Sequence, residues 1–241
     1  MSATPGRIDV TFDLRTDAGG KDPDSHSPTL REYHRLLWSK ELPSGRRIEF
    51  DTHTRGAYLH HDSDLGQVVL SSDIIVVSLS YLRQMAALEK EIRPSLLNRF
   101  ARSYRTIGGY LVFPANRIGG KMTINGAKGF HPRIKDRSDL TLECIRRHYA
   151  GVDSPLTEPL ARYADFFALF GDFAGYVDFF LLQDAVNPDG SVIFYTPFAD
   201  FTTSPLPTSV SEYRDYLQAC MTFVAARGNR IAVWATQHGL A

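Results

Sequence analysis

The chain has 241 residues, of which 43% are hydrophobic and 22% charged, and its formal net charge is zero. These values exclude a disordered or uniformly basic chain and indicate a folded protein. The two cysteines, Cys144 and Cys220, lack the spacing of a zinc motif or a disulfide framework. No signal-peptide pattern opens the sequence, and no apolar run is long enough to span a membrane. We therefore expect a cytoplasmic protein that does not bind membranes.

The charges are unevenly distributed along the chain. Residues 101–150 carry a net charge of +7, whereas residues 151–241 carry −6 and residues 1–100 carry −1. Such asymmetry has two readings, because the basic segment can bind an anionic partner or can pair with the acidic segment that follows it.

The first predicted elements are a strand, a loop and a helix. Residues 7–14 alternate apolar and polar positions, which predicts a half-buried strand. The following residues, 15–27, are rich in Gly, Asp, Ser and Pro and predict a flexible loop. Ser27 is a good cap and Pro28 a good first residue for a helix that ends near Lys40.

Short strands and an interrupted helix come next in the prediction. The stretches 47–50, 57–60 and 66–71 have the composition of strands. A helical pattern over 81–104 is broken near Pro94, because proline cannot donate the helix hydrogen bond.

The rest of the chain combines one more hairpin with helices. Residues 108–125 read as a hairpin, and a glycine-punctuated basic loop follows it. The predicted later elements are helices at 139–150, 156–170, 173–186 and 209–228, and a strand at 191–198. The fold class is therefore α+β, with a mixed or antiparallel sheet mainly from the first half covered by helices mainly from the second half. We expect a single globular domain over 1–241.

The basic loop is the candidate functional site. A loop that leads into a helix N-terminus offers free N–H groups and the positive end of the helix dipole, which together favour phosphate. The predicted phosphate-binding residues are Lys121, Lys128, Arg133 and Arg137. His131 or His148 would act as acid or base, and Glu143 would orient a group or accept a proton. Ser138 or Asp139 is expected to cap the helix, and an Asp139 cap would occupy some of the same donors. The leading hypothesis is a protein that binds or acts on a nucleotide or nucleic acid.

A second hypothesis is a non-catalytic interaction module whose basic segment is paired internally. Acidic residues interrupt the aromatic helices of "YADFFALFGDFAGYVDFFLLQD", and a carboxylate in apolar surroundings needs a partner. The acids are Asp165, Asp172, Asp178 and Asp184, and the nearby arginines are Arg137, Arg146 and Arg147.

A third hypothesis is a metal-dependent hydrolase that uses His60 or His61 with Asp64. No HExxH motif supports it, and consecutive strand residues point to opposite faces of a sheet. The sequence also lacks the glycine patterns of a P-loop or a dinucleotide fold and the GxSxG elbow of hydrolases. No metal ligand and no cofactor are therefore assigned.

Several long stretches resemble an uncharacterised bacterial family, a domain of unknown function. They are "SPTLREYHRLLWSKELPSG", "AYLHHDSDLG", "TIGGYLVFPANRIGGKMTINGAKGFHPRIKDRSDLTLECIRRHY" and "SPLTEPLARYADFFALFGDFAGYVDFFLLQD". The resemblance extends from about Phe12 to Asn229, which implies one unit that folds together. It implies no activity and no site residues.

Overall fold

The structure is a computed structural model that describes residues 6–241, so the first five residues of the predicted 1–241 domain lie outside the described residues. Within this range the fold is α+β, as predicted, with ten α-helices and one three-stranded antiparallel sheet. The strands are β1 (Leu59–Ser63), β2 (Gly66–Ile74) and β3 (Tyr110–Pro114). The helices are α1 (Pro23–His26), α2 (Pro28–Trp38), α3 (Arg83–Glu89), α4 (Pro94–Ser103), α5 (Ile124–Phe130), α6 (Ser138–Tyr149), α7 (Thr157–Ala161), α8 (Ala164–Ala168), α9 (Phe173–Phe179) and α10 (Val210–Gln237).

The sheet has the strand order β1-β2-β3. In β1 and β2, Ser63 pairs with Gly66 across a two-residue turn, and Gly66 has a φ of +96°, which glycine adopts without strain. Val68, Leu70 and Ser72 are buried on one face of β2, and all five residues of β3 are buried. The predicted strands at 57–60 and 66–71 are confirmed as this hairpin.

The predicted start of α2 is confirmed. Ser27 caps α2 by accepting a hydrogen bond from Leu30 N at 3.0 Å, and Pro28 is the first residue of the helix. The predicted break in 81–104 is also confirmed, because α3 ends before Pro94 and Pro94 begins α4.

The predicted strand at 7–14 is wrong. These residues form turns, and their backbone bonds go to separate places, with Ile8 N donating to Leu240 O and Leu14 N to Arg105 O. The apolar and polar residues of 7–14 therefore alternate although the segment pairs with no strand. The predicted strands at 47–50 and 191–198 are likewise reduced to isolated bridges, Glu41 with Arg47 and Val186 with Val192.

The predicted hairpin at 108–125 is also wrong, because β3 pairs with β2. The stretch after β3 contains a 3₁₀ turn at Ile118–Gly120, where Gly119 and Gly120 have positive φ. Thr123 then caps α5 by accepting a bond from Gly126 N at 3.4 Å, so Ile124 lies in a helix.

The second half supplies slightly more than half of the buried hydrophobic residues. The 156–170 helix is split into α7 and α8, and α10 continues past the predicted 209–228 to Gln237. Helix α10 packs tightly on the segment before β3, since a Cβ at Gly108 would lie 2.5 Å from Val224 O. The buried Arg227 of α10 donates to the carbonyls of Gly108, Tyr110 and Phe180, which ties this segment to the end of α9. No helix within residues 6–241 is long and apolar enough to cross a membrane.

Candidate functional site

The predicted basic loop is a tight turn between α5 and α6. Lys135 and Asp136 both have left-handed φ values, +51° and +62°. Two consecutive non-glycine residues in this region are uncommon and need support from their surroundings. The support here is an ion pair, since the turn brings the Asp136 carboxylate onto the ammonium of Lys128.

Lys128 is the centre of a buried polar cluster. Its side chain is only 3% exposed and forms ion pairs with Asp136 and with Asp73 Oδ2, the latter at 2.5 Å. Burial alone would lower the pKa of Lys128, but the two carboxylates outweigh burial and raise it. Lys128 is therefore a fixed ammonium that already has two anionic partners.

One further acid, Asp24 of α1, extends the cluster. The Asp24 carboxylate accepts a hydrogen bond from Ser72 Oγ at 2.8 Å. Burial, followed by repulsion from Asp73, raises the pKa of Asp24 to about 7. Burial also raises the pKa of Asp73 to about 6, although Lys128 acts in the opposite direction. Carboxyl groups with pKa values near neutrality can exchange protons at physiological pH, so this cluster has acid–base capacity. Sequence reasoning did not assign Asp24, Ser72 or Asp73 to this site, because their contacts join segments that are far apart in the chain.

Arg137 lies in the protein interior and is 2% exposed. Its guanidinium forms a two-pronged ion pair with Asp139 and also donates to Thr196 Oγ1 and Pro205 O, both at 2.5 Å. The predicted cap by Ser138 or Asp139 is wrong. The Asp139 carboxylate also accepts from Tyr195 N at 2.9 Å, and the Ser138 hydroxyl lies 3.2 Å from that of Tyr195. The residue at the cap position of α6 is Arg137, which makes no side-chain capping bond.

Glu143 is likewise buried and paired. Arg146 Nε donates to its carboxylate at 2.7 Å and Arg147 Nε at 2.8 Å, all within α6. Burial alone would raise the pKa of Glu143, but these hydrogen bonds lower it below its usual value. Glu143 is therefore held as a carboxylate.

The other predicted site residues contact different parts of the fold. Lys121 Nζ lies 2.6 Å from Glu158 Oε1 of α7, and Arg133 Nη1 donates to Phe201 O at 2.8 Å. His131 accepts from Arg133 N at 3.1 Å, and burial followed by the Arg133 charge lowers its pKa. His148 packs on Phe167, and burial lowers its pKa. Each predicted cation thus has its own partner within the fold.

The expected pairing of the basic segment with the acids of the aromatic helices is wrong. Asp165, Asp172 and Asp178 are exposed, and Asp172 caps α9. Asp184 pairs with Arg230 of α10 at 2.7 Å. Arg137, Arg146 and Arg147 are paired instead with acids inside the basic segment, Asp139 and Glu143.

Unpaired cations occur elsewhere, in a cleft of about 690 Å³ between α4 and α10. We call it the arginine cleft. Its basic residues are Arg93, Arg99, Arg102 and Arg214. All four are exposed, and within residues 6–241 none of their side chains has an ion pair or a hydrogen bond to protein. Glu91 and Asp215 also line the cleft, so its four positive charges face two negative ones.

The histidines proposed for a metal site have ordinary partners. The ring nitrogens of His61 lie 2.6 Å from Glu49 O and 2.8 Å from Ser63 Oγ, and His60 lies 3.4 Å from Asp51. Among the described residues, no three His, Cys, Asp or Glu side chains are grouped so that they could hold a metal ion.

Comparison with known proteins gives one match. No curated protein and no solved structure matches the chain. The model of a family of unknown function, DUF6994, matches residues 8–231, close to the range of the resemblance noted in the sequence. The chain therefore belongs to the family of unknown function DUF6994.

Proposed function

We propose that the protein binds a phosphate-bearing ligand, a nucleotide or a nucleic acid, through the arginine cleft. The observation that carries this proposal is the set of four exposed arginines that have no partner in the part of the chain that the structure describes. The guanidinium group keeps its charge at all physiological pH values and matches phosphate oxygens with two parallel hydrogen bonds. Exposed arginines that converge on one cleft therefore suit phosphate better than any neutral ligand.

The start of α4 supports the same ligand. Pro94 is the first residue of this ten-residue helix, and the cap position, Arg93, makes no side-chain capping bond. Ser95, in the first turn, lines the cleft. Leu96 N donates to Arg93 O at 2.9 Å, so the Ser95 N–H is the first-turn donor without a partner among the described residues, and with the positive end of the helix dipole it adds to the attraction for an anion.

The lining favours contacts to phosphate over contacts to bases. No aromatic side chain lines the cleft, so a base would find no ring on which to stack. We therefore expect binding with little sequence preference that weakens as salt rises.

The experiment compares the double variant Arg99→Ala/Arg102→Ala with wild type. Fluorescence polarisation would follow binding of labelled oligonucleotides and of a fluorescent ATP analogue at 50 and 200 mM salt. Up to four phosphate contacts predict that wild-type oligonucleotide affinity falls by roughly two decades over this range. The double variant should bind more weakly and its log–log salt slope should be smaller by about two.

The matched control is Arg46→Ala/Arg47→Ala, which removes two exposed arginines that are paired with Asp64 and Glu49. This control should bind like wild type. Absence of binding at 50 mM salt to every oligonucleotide and nucleotide, or equal losses in both double variants, would contradict the proposal.

The predicted basic-loop residues enter the same experiment as a separate arm. Lys121 and Arg133 are exposed, although each has a partner. If the loop contributes to binding, Lys121→Ala/Arg133→Ala lowers affinity as much as the arginine-cleft variant does. We expect a smaller loss, because a ligand must first displace Glu158 from Lys121 and the Phe201 carbonyl from Arg133.

A second candidate function is a non-catalytic interaction module. The internal pairing of Lys128, Arg137 and Glu143 favours it, since these groups are satisfied without a ligand. Thermal unfolding with a nucleotide panel separates the two functions. A phosphate ligand that binds only the folded state raises Tm in a concentration-dependent way, whereas the module shows no shift.

A further inference from the structure

A second cleft, of about 600 Å³, lies on another part of the molecule, between the segment after α2, one face of α9 and the end of α10. We call it the Lys40 cleft. Its polar lining residues are Lys40, Glu41, Asp178 and His238, and its rings are Phe179 and Trp234. It shares no residue with the arginine cleft or with the Lys128 cluster.

The amine of Lys40 is surrounded by rings. Its Nζ lies 4.6 Å from the ring centroid of Phe179, 5.1 Å from that of Trp234 and 5.4 Å from that of Trp38. Within residues 6–241 the amine has neither a hydrogen-bond acceptor nor an ion-pair partner. Lys40 therefore differs from Lys121 and Lys128, whose amines are held by carboxylates.

Burial enlarges the neutral fraction of the Lys40 amine. Burial lowers the pKa of Lys40 to about 8, although the nearby Asp178 carboxylate acts in the opposite direction. The ring faces also attract a cation, but they replace only part of the hydration that an ammonium loses. At pH 7.5 a group with this pKa is neutral in roughly a quarter of the molecules, compared with about one in a thousand for an ordinary lysine. A neutral amine is the form that reacts as a nucleophile.

We propose that Lys40 is a nucleophile that binds carbonyl compounds covalently, with an aldehyde or ketone attached to a flat ring as its ligand. The Nζ lone pair attacks the carbonyl carbon to form a carbinolamine. The carbonyl oxygen then leaves as water with the two amine protons, and an imine between Nζ and the ligand carbon remains. The step needs no oxidant or reductant.

Other groups of the cleft suit the same ligand. The rings of Phe179 and Trp234 flank the amine and can stack on a flat ligand. Asp178 accepts a hydrogen bond from Gln183 Nε2 at 2.8 Å and lines the cleft, where it would stabilise a protonated imine. His238, stacked on Trp234 with ring centroids 4.1 Å apart, also lines the cleft.

The test uses salicylaldehyde, a flat aldehyde without phosphate, so that its result does not depend on the proposed function of the arginine cleft. The protein is treated with a low concentration of the aldehyde and cyanoborohydride at pH 7.5, and peptide mass spectrometry measures the labelling rate at each lysine. Lys21 and Lys90, which are exposed, serve as internal references. We expect Lys40 to be labelled at least about tenfold faster than either, given its larger neutral fraction.

Tryptophan fluorescence gives a second, independent measurement. The chain has two tryptophans, Trp38 and Trp234, and both rings lie within 5.4 Å of Lys40 Nζ. Imine formation should therefore quench their emission in wild type and in Lys90→Arg, but not in Lys40→Arg, which keeps a cation among the rings. Labelling of Lys40 no faster than Lys21 and Lys90, or equal quenching in Lys40→Arg, would overturn the proposal.

Discussion

The basic loop and the arginine cleft contain the same kinds of side chain in opposite situations. In and beside the loop, Lys128 and Arg137 are buried and held by carboxylates. In the cleft, the arginines are exposed and have no protein partner within the described residues. The loop belongs to the segment with a net charge of +7, yet the cations without protein partners among the described residues are those of the cleft.

This difference shows that a high density of basic residues in the sequence does not mean that their charges are available to a ligand. A buried ion pair needs both partners to remain, because removal of one leaves a desolvated charge. An exposed arginine without a partner contributes little to stability and can bind a ligand at small cost. Stability and binding should therefore respond oppositely in the two regions.

The largest expected effect is that of Arg137→Ala. This change leaves the Asp139 carboxylate, which is 2% exposed, without its ion-pair partner. It also removes the bonds to Thr196 and Pro205. Loss of one partner of a buried pair costs about 3–5 kcal/mol, so the free energy of unfolding in urea should fall by that amount. Arg133→Ala, in the same loop but exposed, should cost less than about 1 kcal/mol. Similar losses in both variants would remove the distinction between buried and exposed cations in this loop.

A smaller effect is expected from the acids of the Lys128 cluster. The pKa of Asp24 is about 7 in the folded protein, above its ordinary value of 3.8, so the folded state binds more protons between these two pH values. The contribution of Asp24 to stability is therefore fully present below about pH 4 and is lost as pH rises to 7. We expect a loss of about 3 kcal/mol across this window, measured by urea unfolding at several pH values.

Asp24→Asn tests the assignment, because an amide does not titrate. It should flatten the pH dependence between 4 and 7, apart from the share that Asp73 contributes through its own raised pKa. Arg99→Ala, in the arginine cleft, should leave the dependence unchanged. An unaltered pH profile in Asp24→Asn would show that Asp24 is not the titrating group.

Arg147→Ala should have a more modest effect, about 1 kcal/mol. Arg146 still binds Glu143 in this variant, so the carboxylate keeps one partner. Arg146→Ala/Arg147→Ala leaves Glu143, which is 4% exposed, unpaired and should cost more than twice the single change. Thermal unfolding of the single and double variants measures this coupling. Simple additivity would indicate that Glu143 is satisfied in another way.

Elements of the fold with local causes were predictable from the sequence. Ser27 and Pro28 define the start of α2, and Pro94 the start of α4, through neighbouring atoms alone. Alternation over 7–14 misled, because a strand also needs a partner strand, which no local pattern supplies. Residues 121–125 also alternate, but Thr123 caps α5 and the chain is helical from Ile124. The cap was present in the sequence, but it was less conspicuous there than the alternation.

The site was less predictable than the fold, since it depends on contacts between distant residues. Asp73 contacts Lys128 from β2, and Thr196, 59 residues further along the chain, contacts Arg137. The arginines of the cleft come from all three charge segments. A charge count by segment therefore assigns Arg93, Arg102 and Arg214 to three different segments. Only the packing of α4 on α10 brings them together.

The smallest expected effect on stability is that of Arg99→Ala in the arginine cleft. Arg99 is exposed and has no protein partner in the described part of the chain. The cleft is lined by four arginines and only two carboxylates, so its lining is positively charged. Removal of one positive charge among like charges should change the free energy of unfolding by less than about 0.5 kcal/mol. Leu96→Ala, on the buried face of the same helix, is the matched control and should cost about 2–5 kcal/mol. If urea unfolding shows a loss above 1 kcal/mol for Arg99→Ala, this arginine has a structural partner. Arg99 would then be no more available to phosphate than the paired cations of the basic loop.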